Sequence, residues 1–265
     1  MGRHPSIVGR TRPFPLVESA LSLRKCGEKP PKVGIRRKEA SLARMPLALI
    51  TGASGGLGAA IARALAPTHA LLLGGRPSAR LDELTTELGA TAWPVDLGDA
   101  DAVLAAVAKI GELDLLVHNA GVSYPATIAD SNLADWRKTL EVNVLAPVAL
   151  TQALLPALRA AQGDVVFINS GAGINAHPGI GSYSASKFAL RGFADVLRAE
   201  EPLLRVTSVH PGRISTPMQQ ELTEHEGREY DPAEYMRPES VAQLVADAVN
   251  LPRDARVHQI VVRQN

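Results

Sequence analysis

The sequence is poor in several features that mark particular classes of protein. A single cysteine, Cys26, occurs among its 265 residues, which excludes a disulfide framework within the chain and any zinc site made of several cysteines. Aromatic residues make up only 4%, too few for a platform on which single-stranded nucleic acid would stack. The most apolar stretch, residues 144–158, is interrupted by Thr151 and Gln152 and contains two prolines. A membrane-spanning helix, which needs about 20 consecutive apolar residues, is therefore not predicted.

The remaining composition is that of a globular protein, but its charge is unevenly distributed. Residues 1–44 contain 11 Lys/Arg and 3 Glu, whereas residues 45–265 contain 17 Lys/Arg and 24 Asp/Glu. The first segment is also rich in proline and lacks a sustained apolar period, so we expect it not to fold alone. It could be a targeting peptide, a basic arm for nucleic acid, or sequence ahead of a native start at Met45. We favour the last, because the folded pattern begins at Met45.

From Met45 onward, short apolar runs alternate with stretches of helical spacing. The runs lack polar alternation, which is typical of strands buried on both faces of a parallel sheet. We therefore predict one α/β domain over residues 45–265, with a doubly wound parallel sheet and helices on both faces. The longest predicted helix, Leu133–Ala161, should be kinked near Asn143–Pro147. Seven strands are predicted, at Leu47–Thr51, Ala70–Leu73, Thr91–Val95, Leu113–Val117, Val165–Ile168, Arg205–Val209 and Ile260–Val262.

A glycine-rich turn, residues 51–58 (TGASGGLG), lies between the first strand and the first helix. Gly52, Gly56 and Gly58 permit a tight turn and the close approach of a pyrophosphate, while the helix N-terminus supplies free N–H groups. The spacing differs from both GxGxxG and the P-loop. In this context the turn predicts nucleotide binding.

The end of the second strand indicates which dinucleotide is bound. A carboxylate there would bind the two ribose hydroxyls of NAD. The sequence instead reads Gly74-Gly75-Arg76, and Arg76 can form a charge-assisted contact with a 2′-phosphate. Arg76 could also be an ordinary solvated cation, but no acid is present to repel the phosphate. We therefore predict NADP (NADPH) as the cofactor.

The candidate catalytic residues lie later in the chain. Tyr183 and Lys187 are spaced i, i+4 at the start of a predicted helix and so share one face. An ammonium near a phenol favours the phenolate, and such a pair can exchange a proton with a substrate oxygen. Ser170 follows the fifth strand, at the sheet edge where ligands bind in open α/β folds. In isolation, each of these residues could equally be an ordinary surface or loop residue.

Other conspicuous residues carry less weight. The seven histidines show neither HxxxH nor HExxH spacing, so no metal site is predicted. His210 is interpreted as a crevice residue whose hydrogen bonds are satisfied. The charge-rich run Glu221–Glu229 is interpreted as a mobile lid over the substrate, with a solvated helix as the alternative.

Together these residues resemble the classical short-chain dehydrogenases/reductases over essentially all of residues 45–265. The resemblance depends on the 51–58 loop, Asp96-Leu97, Asn119-Ala120-Gly121, Asn143, Ser170, the Tyr183/Lys187 pair, and Pro211-Gly212 with Thr216. His118 is a departure, since the family often has Asn there. The resemblance implies a Rossmann-type fold, and it does not extend to residues 1–44.

The resemblance also implies a role for each position. Tyr183 would be the general acid/base, Lys187 would lower its pKa and bind the nicotinamide ribose, and Ser170 would stabilise charge on the carbonyl oxygen. Asn143 would kink its helix and hold a water that links Lys187 to solvent; its amide could instead, or also, fix the kink. The positions that would hold the cofactor, besides Tyr183 and Lys187, are Gly52, Ser54, Gly56, Leu57, Gly58, Arg76, Asp96, Leu97, Asn119, Ala120, Gly121, Pro211, Gly212 and Thr216.

The predicted function is that of an NADP-dependent oxidoreductase acting on a carbonyl/alcohol pair. A protein that senses NADP without turnover is the alternative, but a sensor has no physical need for the complete catalytic set. The substrate pocket is expected between the loops Gly171–Ile180, Ser123–Ile128 and Met218–Tyr235, and the sequence does not identify the substrate beyond a small carbonyl or alcohol. We further expect a cytoplasmic homodimer or homotetramer, with no nucleic-acid, membrane or metal partner.

Overall fold

Seven parallel strands form one sheet in the computed structural model, which describes residues 44–265. The predicted extension, residues 1–44, lies outside the described residues except for Arg44. The strand order is β3-β2-β1-β4-β5-β6-β7, so successive strands are added outward in both directions from the β1–β4 pair. This confirms the predicted doubly wound sheet. The strands are β1 Leu47–Ile50, β2 Ala70–Gly75, β3 Thr91–Pro94, β4 Leu115–His118, β5 Asp164–Ile168, β6 Arg205–Pro211 and β7 Gln259–Val262.

Eight α-helices flank the sheet within the described residues. Side chains that alternate along each strand supply two apolar layers, one on each face of the sheet. On one face Ile50 packs with residues of α1, α2 and α8; on the other, Leu49 packs with residues of α3, α5 and α6. The helices are α1 Gly56–Leu65, α2 Ala79–Leu88, α3 Ala100–Val107, α4 Leu133–Leu140, α5 Ala146–Ala161, α6 Gly181–Glu200, α7 Pro217–His225 and α8 Pro238–Val249.

The long helix Leu133–Ala161 is interrupted where the sequence predicts a kink. A π-helical turn, Glu141–Leu145, separates α4 from α5, and such turns insert one extra residue into the helical repeat. The whole 29-residue run, with a mean hydropathy of 1.5 over its most apolar window, is long and apolar enough to cross a membrane. Here α5 packs on the sheet instead, burying Leu150, Leu154 and Leu158 in the core.

The segment predicted to be a mobile lid contains a helix. α7, Pro217–His225, is capped at its N-terminus by Thr216, whose hydroxyl accepts a hydrogen bond from the backbone N–H of Gln219 at 3.3 Å. Pro217 occupies the first helical position, where its missing N–H is harmless. The first five residues of the run 221–229 are therefore helical, which is the alternative that the sequence analysis gave. The Thr216 cap and Pro217 define where this helix starts.

Candidate active site

The carboxyl ends of β1, β4, β5 and β6 bring the predicted site residues to one edge of the sheet. In the register, Ile50 pairs with Val117, His118 with Phe167, and Ile168 with Val209. The loops that follow these strands therefore start side by side. The strand order reverses between β1 and β4, and in open α/β sheets the ligand crevice lies at that point.

Two glycines of the 51–58 turn pack so tightly against the chain that no side chain fits there. Gly52 has φ of +64°, and a Cβ there would lie 2.8 Å from the Cα of Ala120. A Cβ on Gly58 would lie only 2.2 Å from the carbonyl oxygen of Gly52. Glycine is thus required at Gly52 by conformation and by contact, and at Gly58 by contact alone. Gly55, just before α1, has open space around its Cα, and the helix N-terminus behind it fits a pyrophosphate.

Asn119 holds this turn in place. Its side-chain amide donates to the carbonyls of Thr51 and Gly52 at 3.1 and 3.0 Å, while its backbone N–H donates to the Thr51 hydroxyl at 3.0 Å. The resemblance implies that Asn119 contacts the adenosine ribose region. The amide nitrogen links the end of β4 to the glycine turn, so the structure gives Asn119 a positioning task, and its contact with the ribose stays a prediction.

The adenosine side of the crevice is polar and open. Arg76 is exposed immediately after β2, and no described carboxylate lies within ion-pair distance of it. A Cβ on Gly75 would make ordinary contacts with Ser54 at 3.6 and 3.7 Å. Asp96, also exposed, accepts a hydrogen bond from the backbone N–H of Gly98 at 2.9 Å. A positive side chain with no described anionic partner thus stands where the resemblance places the ribose phosphate.

On the other side of the turn lies the start of α7. A Cβ on Gly56 would lie 3.3 Å from the Cγ2 of Thr216, so Thr216 faces the glycine turn across the crevice. Pro211 ends β6, and Gly212 donates its N–H to the carbonyl of Val262 at 2.8 Å. These three predicted cofactor residues therefore lie along the same wall.

Tyr183, Lys187 and Ser170 come together beneath this wall. Both Tyr183 and Lys187 lie on α6, with the Lys187 ammonium 5.5 Å from the centre of the Tyr183 ring. Lys187 is buried and donates to the carbonyl of Ile168 at 2.9 Å. The Ser170 side chain acts to lower the pKa of the Tyr183 phenol. The predicted trio is thus assembled by the first two turns of α6 and the end of β5.

The protonation behaviour of this trio differs from the sequence expectation. Burial raises the pKa of Tyr183, and the Ser170 hydrogen bond only partly opposes it. Burial also lowers the pKa of Lys187 to about 8. The ammonium lies 5.5 Å from the centre of the phenol ring and donates to the carbonyl of Ile168, so its charge is near the phenol, as the sequence predicts. The Tyr183 phenol is therefore protonated at neutral pH.

Asn143 lies in the π-helical turn and is buried. Its Oδ1 accepts from the N–H of Val122 at 2.8 Å, and its Nδ2 donates to the carbonyl of Val122 at 2.9 Å and to the hydroxyl of Ser186 at 3.0 Å. The side chain therefore joins the loop after β4 to α6. The bound water expected beside Asn143 stays a prediction.

A cleft of about 300 Å³ opens beside these residues. The loop after β4 and helix α7 form its walls, with Tyr124 on one side and Met218 and Glu221 on the other. Gly121 also lines it, and a Cβ there would lie 3.3 Å from Asn143 Oδ1 and 3.8 Å from the Lys187 ammonium. The cleft thus adjoins the predicted trio, between two of the three loops expected to form the substrate pocket.

Two histidines near the site are structural. His118 is buried, bonds to the Thr151 hydroxyl at 2.8 Å and stacks on Phe167; burial lowers its pKa to about 3. His210 is also buried, with Nδ1 3.1 Å from the Ser170 carbonyl oxygen, and burial lowers its pKa. Its Nε2 has no partner among the described residues, so the prediction that its hydrogen bonds are satisfied is wrong for this atom. No group of three or more possible metal ligands occurs in the described part of the chain.

Arg263 and Gln264, after β7, also contact the site, and the sequence did not predict this contact. Arg263 donates to the carbonyl of His210 at 2.7 Å, and its guanidinium would lie 3.1 Å from a Cβ on Gly171. The side-chain oxygen of Gln264 would lie 2.6 Å from a Cβ on Gly212. The only sequence signal was that β7 ends beside β6, whose own end carries site residues.

Known proteins match both the sequence and the fold. A family model described as short chain dehydrogenase matches residues 46–227. Dehydrogenase/reductase SDR family member 7B of Mus musculus is 39% identical over 228 residues, which are 78% of this chain and 71% of that protein. The chain spans 63% of the corresponding protein of Bos taurus, at 38% identity over 71% of this chain.

Solved structures agree. An alcohol dehydrogenase from the archaeon Thermococcus sibiricus, complexed with 5-hydroxy-NADP, superposes with a TM-score of 0.73 at 30% identity, covering 82% of this chain and 96% of that one. A short chain dehydrogenase from Shigella flexneri, complexed with NADP, gives a TM-score of 0.75 at 27% identity, covering 84% and 97%. With the parallel sheet, the glycine turn and the Ser170/Tyr183/Lys187 arrangement, these matches place the chain in the short-chain dehydrogenase/reductase family of oxidoreductases.

Proposed function

We propose that this oxidoreductase is NADP-dependent and interconverts a carbonyl compound and its alcohol, with Tyr183 as the general acid/base. The observation that carries the proposal is the placement of Ser170, Tyr183 and Lys187 at the same end of the sheet as the tightly packed glycine turn. A dinucleotide held on that turn, along the wall formed by Pro211, Gly212 and Thr216, supplies hydride chemistry when bound.

The side chains divide the remaining work. Ser170 donates its hydroxyl to the substrate carbonyl oxygen, stabilising the charge that develops there. Tyr183 is kept protonated by burial and gives its proton to the same oxygen during reduction. Lys187, protonated below pH of about 8, provides a positive charge beside the phenol that favours the departure of this proton.

The preference for NADP is supported by the adenosine side of the crevice. Arg76 is exposed at the end of β2, and Gly75, which precedes it, brings no carboxylate. A 2′-phosphate placed there would gain a charge-assisted contact without repulsion. The Thermococcus and Shigella structures were solved with a 5-hydroxy-NADP and with NADP, which agrees with this choice.

The test is a panel of ketones and aldehydes, each assayed with NADPH and with NADH by the absorbance of the reduced nicotinamide. Turnover of at least one carbonyl, faster with NADPH, supports the proposal. The alternative, a protein that senses NADP, predicts tight NADPH binding with no turnover across the panel. The complete set of Asn143, Ser170, Tyr183 and Lys187 favours the enzyme, because binding alone needs no proton donor.

We also propose that the enzyme assembles with itself. Exposed apolar side chains occur on α6 and in the π-helical turn that precedes α5, with Phe188, Val196 and Leu145 exposed by 44, 53 and 53%. Such side chains on neighbouring helices favour a partner that covers them. A homodimer or homotetramer, as the sequence resemblance implies, provides that partner.

A further inference from the structure

Ser186 is a fully buried hydroxyl between the two catalytic residues of α6. It is 0% exposed. Its hydroxyl donates to the carbonyl of Tyr183 at 2.7 Å and accepts from Nδ2 of Asn143 at 3.0 Å. One hydroxyl hydrogen and one lone pair are thus both engaged, and both partners belong to the candidate site.

This hydroxyl is the middle of a chain of hydrogen bonds. The Oδ1 of Asn143 accepts from the N–H of Val122 at 2.8 Å, and its Nδ2 also donates to the carbonyl of Val122 at 2.9 Å. Val122 lines the cleft. The chain therefore runs from the cleft wall, through the π-helical turn, to the backbone of Tyr183. Each link is a short hydrogen bond between buried or half-buried groups.

The helix end that carries Tyr183 needs such a link. Tyr183 is the third residue of α6, and the residue before the helix, Ile180, provides no side-chain cap. First-turn residues lack the intrahelical bonds to their N–H groups that hold the rest of a helix. A second contact in this turn, from the Thr139 hydroxyl to that of Ser182, is long at 3.4 Å. Ser186 supplies the shorter bond.

We propose that Ser186 is a positioning residue for Tyr183: by joining the Tyr183 carbonyl to Asn143, it holds the phenol hydroxyl against Ser170. The inference rests on the proposed role of Tyr183 as the acid/base. Without the Ser186 hydroxyl, the first turn of α6 loses its tie to the π-helical turn, and the contact between Tyr183 and Ser170 loosens.

The same helix offers a matched control. Ser184 is 3% exposed, but its hydroxyl has no hydrogen-bond partner among the described residues. Ser184→Ala and Ser186→Ala remove the same atom from buried sites two residues apart. A general cost of removing a buried hydroxyl affects both variants, whereas a positioning role affects only Ser186.

The experiment measures kcat, the dissociation constant for NADPH and the titration of Tyr183. We expect Ser186→Ala to lower kcat by roughly tenfold with little change in NADPH affinity, the effect of losing one hydrogen bond that matters in the transition state. Ser184→Ala should stay within about twofold of wild type, since no partner is lost. Ser186→Thr, which keeps the hydroxyl, should recover most of kcat.

A second readout needs neither cofactor nor turnover. With ¹³C-labelled tyrosine, NMR follows the titration of all four tyrosines, and Tyr183→Phe assigns the signal of Tyr183. Because the Ser170 hydrogen bond lowers the pKa of Tyr183, loosening that bond in Ser186→Ala should raise this pKa further. Ser184→Ala should leave it unchanged.

The outcomes separate this inference from the proposed function. If Ser186→Ala matches Ser184→Ala in both kcat and Tyr183 titration, the positioning role is wrong even where Tyr183→Phe is inactive. If Tyr183→Phe is itself active, the proposed acid/base fails instead. Should Ser186→Ala not fold, the same measurements are made on Ser186→Cys, which keeps the side-chain volume but is a weak donor. A wild-type kcat and a wild-type Tyr183 titration in this variant would overturn the inference. A lowered kcat with a raised Tyr183 pKa would support it.

Discussion

Replacing Arg76 tests the cofactor assignment most directly. Arg76→Ala removes a side chain with no described carboxylate partner, so any loss of affinity reflects the ligand alone. A charge-assisted hydrogen bond contributes about 1.5–3 kcal/mol. Arg76 is exposed, and solvent screens such contacts, so the lower figure applies. The dissociation constant for NADPH should therefore rise about tenfold.

The affinity for NADH should hardly change, because NADH has no 2′-phosphate for Arg76 to contact. Both constants can be measured by nicotinamide fluorescence at fixed ionic strength, since salt screens the contact. Arg256→Ala is the matched control: it removes the same charge near the start of β6, where Arg256 donates to the carbonyl of Pro202 at 2.9 Å, at the opposite edge of the sheet. It should leave both cofactors unaffected.

Gly75→Asp provides the converse test. Its Cβ fits beside Ser54 at ordinary contact distances, so the backbone has no need to move. The new carboxylate should repel a 2′-phosphate and accept hydrogen bonds from the free ribose hydroxyls of NADH.

Equal losses of NADPH and NADH affinity in Arg76→Ala would refute the assignment of Arg76 to the phosphate.

Four further results are expected. Tyr183→Phe should lower turnover by about 10²–10⁴-fold, while NADPH binding measured by fluorescence should persist. Lys187→Ala should lower both turnover and NADPH affinity. Reduction by Tyr183→Phe at a rate near that of wild type would refute the mechanism. Because the pKa of Lys187 is about 8 and that of Tyr183 is raised, the reduction rate should fall as pH rises through about 8, before Tyr183 titrates. In Lys187→Arg the fall should move to higher pH; an unchanged profile would exclude Lys187 as its cause. Arg205→Met leaves the buried Asp164 with only Arg253 as its ion-pair partner among the described residues, so urea denaturation should show a loss of about 3 kcal/mol; a loss under about 1 kcal/mol would count against a buried pair. Light scattering at micromolar concentration should give a dimer or tetramer mass, and a monomer mass alone would contradict assembly.

Much of the fold follows from short-range patterns in the sequence. The five inner strands are largely buried, whereas the edge strands β3 and β7 are partly exposed. All seven were nevertheless placed within two residues of their observed ends from their short apolar runs. The interrupted helix was predicted from Asn143 and Pro147, and the structure has a π-helical turn there. Helix α7 was predicted only as the alternative to a lid, since its charged residues hide the weak apolar period of a short surface helix.

The site was harder to predict, because its details depend on contacts between distant segments. The trio of Ser170, Tyr183 and Lys187 follows from strand ends and helix periodicity. The tasks of Asn119 and Asn143 do not, since a side-chain amide binds whatever the fold places beside it. The raised pKa of Tyr183 likewise reflects burial, which no local pattern specifies.

The position of Arg263 and Gln264 has a practical consequence for handling the enzyme. These residues lie against Gly171, which follows Ser170, and against Gly212. Removal of Arg263 would take away the guanidinium that donates to the His210 carbonyl. An affinity tag fused directly after Asn265 would begin within one residue of these contacts. Variants made for purification and kinetic work should therefore keep residues 263 and 264 unchanged and carry no tag directly after them.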